Sequence, residues 1–599
     1  MSSSTASETS TGGLLKRSVV SCFIFKFGDK GRAEVALFQR SDKVRTYQHL
    51  LAPISGSIDK TDPSPLSAAW RELGEETKLT SRELELLRHG KPYTFADPDA
   101  GREWTVHPFA FRLVSASDAA AIVTDWEHEA WGWYDPLQII EDGDEGVQGV
   151  PRLAESLRRV YFEAELGSEA GAALARGLNR LKTDYQSGAR QLAGEALRIL
   201  RDIVTLLPDG DDDNRNAGPT PLWWSEVRCA AWHLWKNGRE SMGAAILAVV
   251  LEALQSIGST VHQPGLQESS PEAGDASEGK QDVRLARWRE AAVEALDKLI
   301  ATRINCGASV AEEFTHFVRT RFGDERLADP QRPISVLTLS DSSTISQSLH
   351  YAMLKTGMSL DLRVLESRPL FEGLSLAAAV AERVSESEVQ GREQESGPGD
   401  EKYDGITSKL GITIFPDAAM AMAAEGVDLV LIGADRISAS GAVSNKTGSL
   451  PAILSTRHVA GTSAAVVVIS DSDKVAPPGD PSEHVVEDNG PRQMFRAWES
   501  EHNNSRVRHA AGMMMFKLAT SSGPTEGEEG GGKWDDGTRT GRAAALGGIK
   551  VAVRNVSFEW VPPALVDVYV SERGVWTVED IGERSKELVA EVERLFSDL

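Results

Sequence analysis

The sequence predicts a multidomain α/β protein, and three patterns support that fold class. The 599 residues are too many for a single hydrophobic core. Residues 19–40 have the pattern of two strands joined by a glycine-containing turn, whereas residues 151–322 keep a helical period. From residue 334 onward, short apolar strands alternate with helical segments, which is typical of a parallel sheet with right-handed crossovers. We therefore expect a strand-rich α/β domain, a helical subdomain and a Rossmann-like domain, in that order.

The composition limits the classes of function. A formal net charge of −25 opposes non-specific binding to nucleic acid and to anionic lipid, so we expect neither as a direct partner. Hydrophobic residues make up an ordinary 41% of the chain, and we expect no apolar run of membrane-spanning length. The three cysteines, Cys22, Cys229 and Cys306, are far apart and lack metal-binding spacing, which predicts a reducing, cytoplasmic location. Residues 1–15 are expected to form a disordered tail without the apolar core of a secretory signal.

The first candidate site is an acidic helix that follows the two predicted strands. Ser64 is suited to cap a helix with Pro65 at its first position. Glu72, Glu75 and Glu76 then stand at i, i+3 and i+4, so their carboxylates share one helical face. Hard oxygen ligands of this kind suit Mg²⁺ or Mn²⁺ that bridges to substrate phosphates. An exposed acidic face without a metal is the alternative that spacing alone leaves open.

This helix resembles a known family motif. Arg71–Glu76 (RELGEE) is similar to the R-E-U-x-E-E centre of the Nudix box, where U is aliphatic, and Gly56 lies one residue from the place of the opening glycine. Two positions depart from the box: its early glutamate falls in the Asp62/Pro63 region, and its late glycine is replaced near Lys78.

The Nudix resemblance implies an α/β/α sandwich that hydrolyses a nucleoside diphosphate linked to another moiety. It implies that Glu72, Glu75 and Glu76 are catalytic metal ligands and that Arg71 braces the loop against the helix by ion pairing. Downstream, residues 126–133 (WEHEAWGW) resemble a strand entry found late in many Nudix domains. There Glu127 or Glu129, of which we select Glu129, is expected to act as a base or an extra ligand; a structural loop carboxylate is the alternative.

The second candidate site follows a predicted buried strand, Val427–Ile432, which ends at Gly433. Asp435 lies outside the carboxyl end of that strand, where open α/β sheets place their chemistry. Asn445 and Lys446 then precede a helical stretch, and a lysine and small residues at a helix start suit an anion. An aspartate facing such a cradle suggests a sugar phosphate or a nucleotide. A buried loop-capping aspartate and a solvated lysine are the alternative.

Three motifs of this C-terminal region resemble one family. They are G-A-D-R-I followed by N-K-x-G within 433–448, E-S-R-P with a later glycine at 366–373, and P-P-x-L-V-D with E-x-G at 562–574. All three are similar to the family of initiation factor 2B alpha, beta and delta subunits, methylthioribose-1-phosphate isomerase and ribose-1,5-bisphosphate isomerase. The resemblance implies a dimer through the Rossmann-like halves, or association with initiation factor 2B-like subunits.

The same resemblance implies a ligand cradle and leaves its chemistry open. The implied ligand-binding residues are Arg239, Ser340, Ser342, Ser343, Arg368, Asn445 and Lys446. The isomerases place a catalytic cysteine in T-x-C after the first strand, but this chain has Thr338-Leu339-Ser340 there, while the aspartate of G-A-D is kept as Asp435. A serine hydroxyl is far less acidic than a thiol and needs an adjacent base to replace it. We therefore favour a phosphosugar- or nucleotide-binding domain over a working isomerase.

These resemblances define the expected organisation and function. The predicted boundaries are a tail at 1–15, a Nudix domain at 16–150, a helical subdomain at 151–330 with a disordered insert at 256–282, and a Rossmann-like domain at 331–599 with inserts at 385–404 and 521–548. The predicted function is metal-dependent pyrophosphate hydrolysis of a nucleoside diphosphate derivative, such as a sugar nucleotide. The alternatives are a non-catalytic regulatory protein of the initiation factor 2B type and an aldose-phosphate isomerase that uses Asp435.

Overall fold

A computed structural model of the chain describes residues 14–599 apart from a set of gaps. The gaps are 29–31, 185–186, 208–220, 262–278, 304, 395–404, 480–486, 501–503 and 522–550. The chain forms two compact units, one of residues 1–187, 191–300 and 591–599 and the other of residues 188–190 and 301–590. The helical region thus groups with the strand-rich domain, and the predicted domain boundaries at 150 and 330 stay predictions.

The first unit contains an eight-stranded sheet. Its strands are β1 (Leu15–Phe27), β2 (Ala33–Arg40), β3 (Leu51–Ala52), β4 (Ile54–Ser57), β5 (Leu84–His89), β6 (Tyr93–Asp97), β7 (Arg102–Leu113) and β8 (His128–Tyr134). The main order is β3-β2-β1-β7-β5, while β4 pairs with β1, β6 with β7 and β8 with β2. Only β1 and β7 run parallel among these pairs.

Helices cover both faces of this sheet. They are α1 (Pro65–Thr77), α2 (Pro136–Gly146) and α3 (Leu153–Arg158). Because side chains of a strand alternate between faces, Cys22 and Ile24 of β1 pack in the cluster that contains Leu73 of α1, whereas Phe23 packs with Leu157 of α3 on the other side. This arrangement confirms the predicted α/β/α sandwich.

The rest of the first unit is helical, as the periodicity predicts. Its helices are α4 (Glu163–Thr183), α5 (Ala189–Leu206), α6 (Pro221–Asn237), α7 (Gly243–Val261) and α8 (Gly279–Arg303), of which the start of α5 and the end of α8 belong to the second unit. The stretch Glu240–Thr260 is long and apolar enough to cross a bilayer, with a mean hydropathy of 1.6, contrary to the expectation from the sequence. Since 72% of its apolar 18-residue window is buried inside the protein, it has the character of a core helix.

The second unit has a seven-stranded sheet and a small three-stranded one. Its strands are β9 (Ile334–Leu339), β10 (Leu360–Leu365), β11 (Leu410–Phe415), β12 (Leu429–Ile432), β13 (Arg436–Ile437), β14 (Val443–Lys446), β15 (Ala465–Ile469), β16 (Phe558–Val561), β17 (Val568–Ser571) and β18 (Gly574–Trp576). The large sheet has the order β11-β10-β9-β12-β15-β17-β18 and is parallel except at β18. The strand order reverses direction between β9 and β12, which is the switch point where such sheets bind ligands.

Helices precede, connect and follow the strands of this second sheet, which confirms the predicted Rossmann-like arrangement; residues 591–596 of the last helix belong to the first unit. They are α9 (Cys306–Phe322), α10 (Asp324–Leu327), α11 (Ser343–Thr356), α12 (Glu372–Gln394), α13 (Met420–Ala423), α14 (Ser449–Val459), α15 (Arg492–Glu499), α16 (Ser505–Ser521) and α17 (Val578–Phe596). Every residue of β9, β12 and β15 is buried, as expected for central parallel strands.

The predicted inserts are partly helical, which corrects the sequence interpretation. Helix α12 continues through residues 385–394, because Glu388 is buried and its carboxylate accepts a hydrogen bond of 2.9 Å from the Thr407 backbone amide. Residues 256–261 and 279–282 likewise belong to α7 and α8, and residue 521 ends α16. Leu15 already lies in β1, whereas residues 1–13 and the remaining parts of the inserts lie outside the described residues.

Candidate functional site

Helix α1 begins as its sequence predicts. The Ser64 hydroxyl oxygen accepts a hydrogen bond of 3.1 Å from the amide of Ser67, and Pro65 occupies the first turn. The helix ends at Lys78, whose backbone is left-handed with φ 63°. This is the position where the Nudix box has its late glycine. Lys78 therefore adopts the conformation that favours glycine, so this departure from the box keeps the local fold.

Glu72 and Glu76 are brought together at one end of a cavity of about 330 Å³. They are only 9% and 3% exposed although both are acidic. Gly56 makes room for Glu72, because a Cβ built on Gly56 would lie 1.9 Å from a Glu72 carboxylate oxygen. The glycine that resembles the start of the box is thus required sterically. Glu75 does not line this cavity: its side chain is 60% exposed and lies 3.4 Å from Arg71.

Arg71 braces the loop between β4 and α1. Its guanidinium donates to Asp62 at 2.9 Å and to the Ser57 carbonyl at 2.9 Å, and it also contacts Glu72 at 2.8 Å. Asp62 is the residue in the region of the early box glutamate. Hydrogen bonding by Arg71 lowers the pKa of Asp62, so the carboxylate remains a charged partner. The ion pairing that the Nudix resemblance implies is therefore present.

The electrostatics of this pocket suit a cation. Burial raises the pKa of Glu76, and the neighbouring charges of Glu72, Glu127 and Asp125 raise it further. Burial also raises the pKa of Glu72, although Arg71 partly opposes this shift. Carboxylates gathered in this way repel one another, and a divalent cation offsets that repulsion with the oxygen ligands it prefers. The donor set of Glu72 and Glu76 therefore fits Mg²⁺ or Mn²⁺.

The structure places Glu127, and not the selected Glu129, at the cavity. The Glu129 carboxylate accepts from the amide of Asp42 at 3.2 Å and lies 3.2 Å from His49, outside the lining of the cavity. Glu127 lines the cavity, and burial and the charge of Asp125 raise its pKa. The sequence could not decide between these residues, because residues two positions apart share one face of a regular strand. The pairing of β8 with β2 is irregular here, since Gln39 pairs with Ala130 and Arg40 with His128, so Glu129 falls at a register shift that the sequence does not reveal.

We expect Glu127→Gln to lower hydrolysis much more than Glu129→Gln does. A carboxylate beside Glu76 serves as a proton acceptor or an additional ligand, and general bases typically contribute about 10²-fold or more. Steady-state rates of the two variants with a nucleoside diphosphate substrate measure the difference. Equal losses in both variants would contradict the assignment of Glu127.

Sequence reasoning missed His128, which lies between these glutamates in the chain. Its side chain is 1% exposed, and its Nε2 atom lies 3.5 Å from a carboxylate oxygen of Glu76. Burial lowers the pKa of His128, so the neutral imidazole is favoured. The W-E-H-E segment was the available signal, but only the fold shows that its histidine contacts the acidic helix.

The second candidate site lies at the switch point of the seven-stranded sheet. Ser342 caps α11 by accepting from the amide of Ile345 at 3.2 Å, and Ser343 is the first residue of that helix. A Cβ built on Gly433 would lie 3.4 Å from Asn445 Oδ1 and 3.8 Å from Ser342 Oγ, so these residues of three different elements converge. Asn445 also donates to Ser449 at 2.8 Å.

Glu372 joins this group, although the sequence did not single it out. One carboxylate oxygen accepts from the Lys446 ammonium at 2.9 Å, and the other accepts from the Ser340 hydroxyl at 3.4 Å. Ser340, Ser367 and Phe371 all have positive φ, which is uncommon for residues other than glycine and concentrates at functional sites. Glu372 thus places a carboxylate next to Ser340, where the sequence left open whether such a group is present.

Two predicted ligand-binding residues have other contacts. Arg368 is about half exposed, and its guanidinium donates to Glu366 at 2.8 Å and lies 5.0 Å from the ring of Phe371. Arg239 is buried in the first unit, where it donates to the carbonyl of Asp184 at 2.7 Å. Their binding roles stay predictions.

A second missed group lies near Asp435. Lys474 is only 7% exposed; burial lowers its pKa, while Asp435 and Asp471 oppose that shift. Asp471 is 3% exposed and accepts from the guanidinium of Arg190, with a Nε–Oδ2 distance of 2.7 Å. The Cys306 thiol lies 3.6 Å from the same aspartate, and burial raises its pKa. Asp435 therefore faces a network of buried charges.

The comparisons with known proteins find one domain model in the N-terminal part of the chain and one in the C-terminal part. Residues 15–153 match the NUDIX domain model, and residues 404–578 match the model of the Initiation factor 2 subunit family. The chain thus joins a NUDIX domain to a domain that matches the Initiation factor 2 subunit family. No curated protein gives a significant match to the sequence.

Three of the solved structures that match parts of the chain have the following identity and coverage. The translation initiation factor eIF-2B of Pyrococcus horikoshii OT3 has 15% identity and a TM-score of 0.37, over 68% of this chain and 98% of its own. The 5-methylthioribose 1-phosphate isomerase of the same organism has 15% identity and a TM-score of 0.38, over 70% and 87%. A C. elegans Ap4A hydrolase has 22% identity and a TM-score of 0.20, over 25% and 98%. These TM-scores are all below 0.5, so the assignment rests on the two family models.

Proposed function

We propose that the first unit hydrolyses the diphosphate bond of a nucleoside diphosphate derivative in a reaction that depends on Mg²⁺ or Mn²⁺. The observation that supports this most strongly is the pair of buried carboxylates, Glu72 and Glu76, at the wall of a cavity in a NUDIX domain. Two buried acids are unfavourable without a cation, and Mg²⁺ is commonly bound by one or two carboxylates together with substrate phosphates.

The residues of this site have different roles in the proposed hydrolysis. A bound divalent cation would supply charge neutralisation on the diphosphate and a more acidic water. Glu72 and Glu76 hold the cation, and Arg71 keeps Glu72 in place through its contact of 2.8 Å. Glu127 accepts the proton of the attacking water, since its raised pKa makes it a better base than an exposed glutamate.

The test is a hydrolysis screen of the full-length protein with sugar nucleotides and dinucleotides, with and without EDTA. We expect turnover with Mg²⁺ or Mn²⁺ and products that identify the cleaved bond as a diphosphate linkage. Turnover that persists in EDTA, or no turnover of any compound, would refute the proposal.

We further propose that the second unit binds a phosphorylated sugar or a nucleotide at the switch point. Lys446, Asn445 and Ser342 converge there beside the start of α11, and a helix start favours an anion. If the first unit cleaves a sugar nucleotide, this site senses or converts the ribose phosphate produced. We expect a dimer, or association with initiation factor 2B-like subunits, in the cytoplasm, with no direct nucleic-acid partner. The alternative is an aldose-phosphate isomerase that uses Asp435. Conversion of an aldose phosphate by the wild-type protein, together with its loss in Asp435→Asn, would favour that alternative.

We expect Lys446→Met to weaken binding of ribose 5-phosphate and Glu372→Gln to strengthen it, each by about tenfold. Lys446 loses its charge in the first variant, whereas the second frees its ammonium from a competing carboxylate, and charge-assisted hydrogen bonds contribute about 1.5–3 kcal/mol. Isothermal titration calorimetry measures both affinities. A weaker affinity in Glu372→Gln would mean that Glu372 contacts the ligand itself.

A further inference from the structure

A second cavity of the first unit lies beside helix α6 and is separate from the cavity of the acidic helix. Its volume is about 220 Å³, and none of the residues that line it also lines the cavity of Glu72 and Glu76. Three of its lining residues, Glu226, Cys229 and His233, belong to α6. Their spacing of i, i+3 and i+7 puts them on one face of the helix, so this face of α6 forms a wall of the cavity.

Glu226 is a buried carboxylate without a counter-charge. The residue is only 7% exposed, and no hydrogen-bond donor or cation among the described residues contacts its carboxylate. Its oxygens are not among the fully enclosed polar atoms, so they face the open space of the cavity. Burial raises the pKa of Glu226 to about 7, and the negative charge of Glu165 adds to this shift. A ligand that donates hydrogen bonds to this carboxylate would remove an unfavourable burial.

The arginines that line the cavity are already paired with other acids. The Arg158 guanidinium contacts the Glu165 carboxylate at 2.8 Å. The Arg159 guanidinium contacts the Glu155 carboxylate at 2.9 Å. All four side chains line the same cavity, so each of these two cations is held by a carboxylate of its own.

The remaining charged groups of the lining are also partnered. The Lys91 ammonium donates to the Leu599 oxygen at 2.9 Å, and the Asp598 carboxylate accepts from the Arg228 guanidinium at 3.0 Å. Among the described residues that line the cavity, Glu226 is therefore the charged group that still lacks a partner. The group that the cavity offers to a ligand is an acid.

The other two groups on this face of α6 do not suit a metal ion. The amide of His89 donates to the Asn237 side-chain oxygen at 2.6 Å, which orients Asn237 so that its nitrogen donates to His233 Nδ1 at 2.8 Å. Burial lowers the pKa of His233 to about 3, so the ring is neutral and its hydrogen is on Nε2. Burial raises the pKa of Cys229 to about 12, which keeps the thiol protonated. Metals bind thiolates and unprotonated imidazole nitrogens, so this face favours an organic cation.

The rest of the lining suits the apolar body of a small molecule. Trp232 and Leu222 both line the cavity, and the face of an indole ring attracts cations. Leu222 is 48% exposed, so the cavity is open to solvent on that side. Pockets for drug-sized ligands are typically about 300–1,000 Å³, so this cavity suits a smaller molecule.

We propose that this cavity binds a small organic cation, a protonated amine or a guanidinium compound, whose charged group donates hydrogen bonds to Glu226 and whose apolar body packs against Trp232 and Leu222. Hydrogen bonds from such a cation to a carboxylate are roughly twice as strong as bonds between neutral groups. The site is distinct from the proposed hydrolase site, and its ligand is of the opposite charge to a nucleoside diphosphate.

The experiment measures binding of butylammonium, 2-phenylethylammonium and butylguanidinium to the full-length protein by calorimetry at pH 8. We expect at least one of these cations to bind and Glu226→Gln to weaken that binding about tenfold or more, because the amide keeps the shape and loses the charge. 2-Phenylethanol, which has the body of the second cation without its charge, should bind about tenfold more weakly than that cation. Glu155→Gln is the matched control, since Glu155 lines the same cavity but already has Arg159 as its partner.

The pH dependence of the wild-type protein is a second measurement that needs no variant. Glu226 is mostly protonated at pH 6 and mostly ionised at pH 8, whereas alkylammonium groups, with a pKa of about 10, stay charged. Affinity for the cation should therefore rise about tenfold between these pH values. His233 stays neutral and Cys229 stays protonated over this range. The other titratable and charged groups that face Glu226 across the cavity are held in the contacts described above: Lys91, Glu155, Arg158, Arg159, Glu165 and Asp598.

Three results would each overturn the proposal: no binding of any of the three cations, equal binding of 2-phenylethanol and 2-phenylethylammonium, or equal losses in Glu226→Gln and Glu155→Gln. Binding of Zn²⁺ that Glu226→Gln abolishes, without binding of the organic cations, would overturn it in favour of a metal site. Affinity that does not change between pH 6 and pH 8 would exclude Glu226 as the partner of the cation. None of these measurements involves a nucleotide, so their outcome is independent of the proposed hydrolysis.

Discussion

Glu76→Gln should abolish metal-dependent hydrolysis, with a loss on the order of 10³-fold or more. The side chain is 3% exposed and lies among Glu72, Glu127 and Asp125, so the change removes a charged oxygen ligand from the centre of the site. Stabilisation by a bound metal amounts to several kcal/mol, and each 1.36 kcal/mol corresponds to tenfold in rate. Turnover of ADP-ribose at saturating Mg²⁺ measures the loss.

The same variant should be at least as stable as the wild-type protein when no metal is present. The raised pKa of Glu76 means that the folded state disfavours its charged form, so a neutral amide of the same shape removes a repulsion. Thermal unfolding in EDTA tests this point and separates loss of chemistry from loss of fold. Glu83→Gln is the control, because Glu83 only accepts from Thr80 at the surface. Activity in Glu76→Gln comparable with that control would exclude the metal site.

The acidic helix could be predicted from sequence because its determinants are local. The cap at Ser64, the proline after it and the spacing of Glu72 and Glu76 all lie within one short segment. Which carboxylates are buried depends on the neighbouring sheet, however. Gly56 admits Glu72, whereas Glu75 turns to solvent, and helical spacing alone does not distinguish these outcomes.

The contacts that sequence reasoning missed join residues that are far apart in the chain. Glu372 contacts Lys446 across 74 positions, and Arg190 contacts Asp471 across 281. Neither partner has a local pattern that reveals the other. The helical continuation at residues 385–394 was missed for a related reason: its polar composition suggests disorder, but the buried contact between Glu388 and Thr407 is a tertiary one.

Arg190→Met should destabilise the second unit by about 3 kcal/mol. Asp471 is 3% exposed and would remain as a buried carboxylate without its main cation, and breaking a buried pair by removing one partner typically costs about 3–5 kcal/mol. We expect the lower end of that range, because the Arg190 side chain is itself 24% exposed. Arg190 also donates to Thr344 at 3.2 Å, so the start of α11 beside the switch point should loosen as well.

Hydrogen exchange is the suitable measurement, since a protein of two units need not unfold in one step. Faster exchange is expected for amides of β15, which leads to Asp471, and of α11, while the amides of β1 in the first unit should be unaffected. Arg554→Met is the matched control: its partner is Asp488, its side chain is 68% exposed, and exposed pairs contribute at most about 1 kcal/mol. The double variant Arg190→Met with Asp471→Leu should recover most of the loss, because it removes the unpaired charge together with its partner. If Arg190→Met alone behaved like Arg554→Met, the buried pair would not stabilise the sheet on which Asp435 is placed.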